Sequence, residues 1–275
     1  MLSKRIIGSL IIQEATVVQS FSFEHYLPVG SPEVVVEFLN QWGVDEILVL
    51  DITASKKGEP DFTLVERLAK KTRVPLAVGG GVRTLEHMRR LIAGGADKLV
   101  INTLAKENPE LVSKAASIFG EQCIVVSIDV HEGNEGNTEA VRLAVEARNK
   151  GAGEILLRCI ERDGSKRGFD PLLTQAVATA VNIPVIASGG AGNVNHIAEA
   201  FKLGADAVAV GNMLHFTEHS VITIKQQLKR LGIPVRLDTH ATYAHATFDD
   251  AGRLQKQGDE VLEKLRFEYY PPEII

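Results

Sequence analysis

Short apolar runs alternate along this chain with stretches whose apolar residues recur at helical spacing. The runs cover residues 5–12, 46–51, 75–79, 97–102, 123–129, 154–160, 183–188 and 206–210. They are rich in Ile, Val and Leu and do not alternate with polar residues, which is the pattern of parallel strands covered on both faces. Helix punctuation falls between them. Ser31-Pro32-Glu33 supplies a cap, a first-turn proline and an acid, with Gly43 as the stop. Asn108-Pro109-Glu110 opens a second helix that Gly120 ends, and Asp170-Pro171 repeats the signal. Eight strands, each followed by a helix, predict an α/β fold of the (β/α)8 barrel type; the alternative on pattern alone is a doubly wound open sheet.

An internal repeat decides for the barrel. Pro75-Leu76-Ala77-Val78-Gly79-Gly80-Gly81 matches Pro184-Val185-Ile186-Ala187-Ser188-Gly189-Gly190, and the match runs through His87 and His196 to Gly95-Ala96-Asp97 and Gly204-Ala205-Asp206. Glu46-Ile47-Leu48 echoes Glu154-Ile155-Leu156, and residues 5–12 align with 123–130. Two halves of four strand–helix units build a closed eight-fold barrel with a two-fold repeat. Residues 13–30 read as a long first loop on the face where such barrels carry their sites. The barrel is expected over residues 1–236, followed by a C-terminal extension, 237–275, with a helical charge pattern over 249–267 and an extended aromatic segment over 267–272.

The chain is 45% hydrophobic and 24% charged, enough for a full core and a soluble surface. Its net charge of -5 argues against a broad nucleic-acid or anionic-membrane surface. The apolar run from Ile6 to Ile12 is too short for a signal peptide core or a membrane span, so a cytoplasmic protein is expected. Cys123 and Cys159 lie in apolar runs and read as small buried hydrophobes of a reducing compartment, not as a disulfide.

Candidate chemistry gathers at strand ends. Gly79-Gly80-Gly81, with Asn102-Thr103, would form one anion cradle, because glycines admit a phosphate close to the backbone and the next helix presents its N–H groups. Gly189-Gly190 and Gly211-Asn212 are the repeat counterparts, with Asp163-Gly164 beside them. Tight strand-to-helix turns also need glycine, so the plain turn is the competing explanation. Asp129, at the end of the fifth run, is placed for acid–base work or for a cap or ion pair. Its repeat counterpart is Ile11, which has no proton to exchange. His240, Tyr243 and His245 are poorly spaced for a metal, and no metal or cofactor is expected.

These segments together resemble a known family. Lys4-Arg5-Ile6-Ile7, Leu50-Asp51-Ile52-Thr53-Ala54-Ser55, Gly79-Gly80-Gly81-Val82-Arg83-Thr84, Ile101-Asn102-Thr103, Gly151-Ala152-Gly153-Glu154-Ile155-Leu156 and Ala187-Ser188-Gly189-Gly190-Ala191-Gly192 are similar to the cyclase subunit of imidazole glycerol phosphate synthase. The resemblance implies a glutaminase subunit docked at the N-terminal face of the barrel. It implies ammonia passing through the core to a bound bis-phosphate intermediate, which two aspartates cleave and cyclise. It also implies a gate of charged residues, for which Arg5, Glu46, Lys98 and Glu154 stand at the matching positions; without the resemblance the four read as a stabilising salt-bridge layer.

The departures from the family lie at the opposite face. Ile11 replaces the first catalytic aspartate, Gln19 replaces the expected loop lysine, and the segment between Asp129 and Glu154 is short. A branch of the family encoded with sugar amidation systems for surface polysaccharides fits these departures, as does the first loop with Tyr26-Leu27-Pro28-Val29-Gly30-Ser31-Pro32. In that branch the barrel would supply ammonia to a separate N-acetyl-sugar amidotransferase that makes an acetamidino sugar. The cyclase of histidine biosynthesis and a non-catalytic scaffold with inherited cradles are the alternatives.

Overall fold

The computed structural model describes residues 3–215 and 220–237, together with Thr247 and Gln255. The chain divides into two compact units, Met1–Ala241 and Thr242–Ile275. The expected helix over 249–267, the extended segment over 267–272, and His240, Tyr243 and His245 lie outside the described residues.

In chain order the strands are β1 (Arg5–Gln13), β2 (Thr16–Phe21), β3 (His25–Gly30), β4 (Glu46–Asp51), β5 (Leu76–Gly79), β6 (Lys98–Ile101), β7 (Ile124–Val130), β8 (Glu154–Cys159), β9 (Val185–Ser188) and β10 (Ala207–Val210). The helices are α1 (Pro32–Trp42), α2 (Ile52–Lys57), α3 (Phe62–Lys71), α4 (Leu85–Ala93), α5 (Thr103–Glu107), α6 (Pro109–Phe119), α7 (Asn134–Asn149), α8 (Pro171–Ala180), α9 (Val194–Lys202) and α10 (Ser220–Arg230). Strand β1 and strands β4 to β10 pair in parallel, and β10 returns to β1 in the register Arg5↔Ala207 to Gly8↔Val210. The sheet is a closed (β/α)8 barrel, as the eight runs and the repeat predict.

Alternation along each strand makes two cores. Ile7, Leu48, Ala77, Val100, Val125, Leu156, Ile186 and Ala207 form a cluster with Ile11 and Leu50. Ile6, Leu10, Ile47, Val126 and Ile155 belong to a second, larger cluster shared with helix residues such as Leu68, Met88 and Leu91. Side chains one residue apart on a strand point to opposite faces, so the first cluster fills the barrel and the second lies under the helices. Each Val, Leu, Ile or Met among them, fully buried, contributes about 1.5–3 kcal/mol.

The repeat motifs have structural work of their own. The Oδ2 atoms of Asp97 and Asp206 accept the backbone N–H of Leu76 (2.8 Å) and Val185 (3.2 Å), tying each strand start to its neighbour. The N–H of His87 is capped by Thr84 Oγ1 and that of His196 by Asn193 Oδ1, fixing the same turn twice.

The long first loop is corrected: residues 16–30 are an antiparallel ribbon, β2 on β1 and β3 on β2. Glu14 and Ala15 take left-handed backbone at φ 48° and 60°, the geometry of a tight hairpin turn, and Ser22 and Phe23 do so again at 54° and 56°. No glycine marks either turn, so the usual hairpin signal is missing from the sequence. Cys123 is also corrected. It ends a short 3-10 turn and is half-buried, whereas Cys159 is buried and burial pushes its thiol up to about 11; both are free thiols. No helix among the described residues is long and apolar enough to cross a membrane.

Lys225 of α10 is 1% exposed and donates to Gly43 O (2.7 Å) and Asp45 Oδ1 (2.8 Å), while Asp45 Oδ2 accepts the N–H of Ile6. This buried pair fastens the last helix to the turn between α1 and β4. Removing one partner of a buried pair strands the other charge. Lys225→Met is therefore expected to lower unfolding stability by about 3 kcal/mol in urea titrations. A loss well under 1 kcal/mol would show that the pair is not holding the helix.

Candidate functional site

The expected site residues gather at two ends of the barrel. At the strand starts, Arg5, Glu46, Lys98 and Glu154 form a closed ring of alternating charge. Arg5 bonds Glu46 (2.8 Å) and Glu154 (3.1 Å), and Lys98 bonds the same two carboxylates at 2.6 and 3.1 Å. All four occupy inward-pointing positions below the inner core. Burial holds the Glu46 carboxyl above its ordinary range, against the pull of Lys98 and Arg5. Burial also opposes the charge on Arg5, yet Glu154 and Glu46 together hold its guanidinium above its usual value.

At the strand ends two pockets adjoin. The first is lined by Gly80, Gly81, Asn102, Thr103 and Asp129, with Asp51, Ser55, Arg83 and Ser127 around them. The second brings together Ile11, Asp163, Gly164, Gly189, Gly190, Gly211 and Asn212, with Val18, Lys166 and His215. Phe23, Leu50 and Arg158 line both. Gln19 is buried in β2 and lines neither pocket.

The glycines meet the demands of the turns directly. Gly80 has φ +118°, and a Cβ there would stand 2.2 Å from Asp51 O; at Gly190, φ +105°, it would stand 2.1 Å from Gly168 O. Close passage of neighbouring loops therefore requires both residues whether or not an anion binds. Asn212 is committed to the ribbon: its Oδ1 accepts from Ser20 N (3.2 Å) and its Nδ2 donates to Ser20 O (2.8 Å). Gly164 lets the ribbon pass, since a Cβ would meet Ser20 O at 2.6 Å. Asp163 is mostly buried, and burial pushes its carboxyl up.

Two neighbours hold Asp129. Arg158 Nε and Nη2 donate to its two oxygens at 2.7 and 2.8 Å, and Asn102 Nδ2 donates at 2.7 Å. Of these two partners, Arg158 was missed from sequence, because an arginine inside a strand has no motif to mark it. The register offers a signal: Asp129↔Arg158 are cross-strand neighbours, as are their repeat counterparts Ile11↔Leu50. Asp51 was quoted only as part of a motif; it caps α2 through Ala54 N (2.8 Å), and burial raises its carboxyl.

Comparison with known proteins finds relatives along most of the chain. The family described as histidine biosynthesis protein matches residues 5–220. A protein of Vibrio vulnificus that carries the name imidazole glycerol phosphate synthase subunit hisF2 is 42% identical over 267 residues, covering 92% of this chain and 98% of that protein. Imidazole glycerol phosphate synthase subunit HisF of Pyrococcus furiosus is 44% identical over 251 residues, and that of Thermococcus gammatolerans 45% over 251, each covering 86% of this chain and 100% of the relative.

His215 gives the site a pH signature. Burial alone pushes its imidazole down to about 4. In the unfolded chain the ring protonates near its ordinary value of about 6.5, so acid favours unfolding as pH falls from there towards 4. His215→Leu is expected to lessen the drop in melting temperature between pH 7 and pH 4.5. An unchanged drop would show that the ring is reached by water or finds an acceptor.

Proposed function

We infer the function from one premise: the chain belongs to the family of histidine biosynthesis proteins. On that premise the barrel is a synthase subunit of the imidazole glycerol phosphate synthase type. It takes ammonia from a glutaminase subunit docked at the strand-start face and passes it through the core to the strand-end mouth. There the ammonia serves the amidation of an N-acetyl sugar for surface polysaccharide, through a separate amidotransferase. The glycine loops of the mouth hold phosphate groups of a small ligand.

One observation carries this reading. The ring of Arg5, Glu46, Lys98 and Glu154 is complete and largely buried, while the mouth has Ile11 where the acid–base pair needs a second carboxylate. Burying four charges costs desolvation that a hydrophobic plug would avoid. A ring kept beside a dismantled acid–base pair fits a barrel that conducts ammonia without cyclising a substrate. Lys98→Ala opens the ring, and it is expected to change glutamine-dependent product formation far more than product formation from added ammonium salt. Equal effects on both would make the ring a structural layer and remove the case for a conduit.

The second reading is the cyclase of histidine biosynthesis itself. Its support is the 44% identity to a HisF subunit along that protein's whole length. The two readings part on chemistry. A missing general acid or base costs about 10²–10⁴-fold. Ammonia-dependent turnover of the phosphoribulosyl formimino intermediate is expected to be lower than an ordinary cyclase subunit's by that factor, and Ile11→Asp is expected to raise it. Turnover within about tenfold of an ordinary subunit would decide for the cyclase.

A further inference from the structure

One guanidinium belongs to both halves of the strand-end mouth. Arg158 lines the pocket of Gly80 and Gly81 and also that of Gly189 and Gly190, with its side chain 14% exposed. Nε and Nη2 are taken up by Asp129. Nη1 makes no hydrogen bond or ion pair among the described residues, and it carries two of the five N–H donors of the planar fork. The Phe23 ring covers the guanidinium, its centroid 4.8 Å from Cζ. Phe23 holds that place with φ at +56°, a left-handed backbone that is rare for an aromatic residue and costs free energy.

The fold does not need a charge there. At the repeat-related pair of positions, Ile11 and Leu50 pack as cross-strand neighbours in the inner core. An apolar pair therefore closes the barrel at this level, and an ion pair adds desolvation without adding closure. What the ion pair adds is a fixed cation, clamped by Asp129 and faced by Phe23, with one edge unused in the middle of the mouth.

We propose that Arg158 is an anion-binding residue of the mouth, whose Nη1 takes a carboxylate or phosphate oxygen of a small ligand lying between the two glycine loops. This deepens the reading of the mouth as a ligand site and rests on it. Asp129 and Phe23 are then positioning residues: the carboxylate sets the fork's plane, and the ring shields it from water. Arginine suits the task because its fork meets an oxyanion with parallel donors, where lysine offers a point charge.

The test follows the Arg158 Nε–H signal in the 15N NMR spectrum of the full chain, assigned by its loss in Asp129→Ile/Arg158→Leu. That double variant copies the opposite half, so it is expected to fold. Inorganic phosphate and acetate are the probes. The signal is expected to move with either anion, and a response to only one identifies the ligand group as phosphate or carboxylate. Calorimetric affinity for the effective anion is expected to fall about tenfold or more in the double variant and to fall less in Arg158→Lys. A signal unmoved by both anions overturns the proposal, as do affinities equal across the variants; Arg158 and Asp129 are then a structural pair. The conduit is tested separately by Lys98→Ala. An anion response without a glutamine-specific effect rejects the conduit and keeps the Arg158 site; the opposite result rejects the Arg158 site alone.

Discussion

The pairing of β10 with β1 imposes the condition on which the rest of the molecule depends. Once the sheet closes, every second side chain of the eight parallel strands points into a narrow interior, and only those near the strand starts or ends lie near water. Ile7, Leu48, Val100, Val125 and Leu156 fill the middle. Polar groups are driven to the two mouths, where burial is incomplete and partners can be recruited from neighbouring strands. The ring of two cations and two carboxylates at one mouth solves this problem, since each cation serves both acids. The Asp129–Arg158–Asn102 cluster at the other solves it with one acid and two donors.

Much of this was legible in the chain because it repeats. The Gly-Ala-Asp motif is informative since its aspartate caps the neighbouring strand in both halves, and the repeat histidines sit in matching capped turns. Period and punctuation therefore marked the eight barrel strands, the helix starts at Pro32, Pro109 and Pro171, and the glycine loops that line the two pockets. The ribbon was not legible, because its turns place Glu14, Ala15, Ser22 and Phe23 in left-handed backbone without a glycine to announce them. Lys225 was missed for a related reason. A lysine in an amphipathic helix reads as solvated, and only packing reveals that Asp45 and Gly43 O lie within its reach.

The glycine loops show where sequence logic and geometry diverge without conflict. Gly80 and Gly190 are demanded by the close passage of Asp51 O and Gly168 O, so their presence alone says little about a ligand. Asn212 likewise spends its amide on Ser20 of the ribbon. The weight of a ligand argument therefore shifts from the glycines to what lies between the loops.

There the two halves differ in a concerted way. Ile11 and Leu50 are cross-strand partners, and so are Asp129 and Arg158. The Arg158 side chain is 14% exposed and that of Asp129 30%, so each charge is partly desolvated and gains from the other. In one half the pair is charged and in the other it is apolar. Ile11 is thus matched by Leu50 across the strands as Asp129 is by Arg158, and the difference between the halves is one of pairs. The two pockets of the mouth therefore differ in lining, with Ile11 and Val18 in one and Asp129 and Asn102 in the other, and Leu50 and Arg158 line both, so the paired positions set the chemical asymmetry of the mouth at the level where the pockets adjoin.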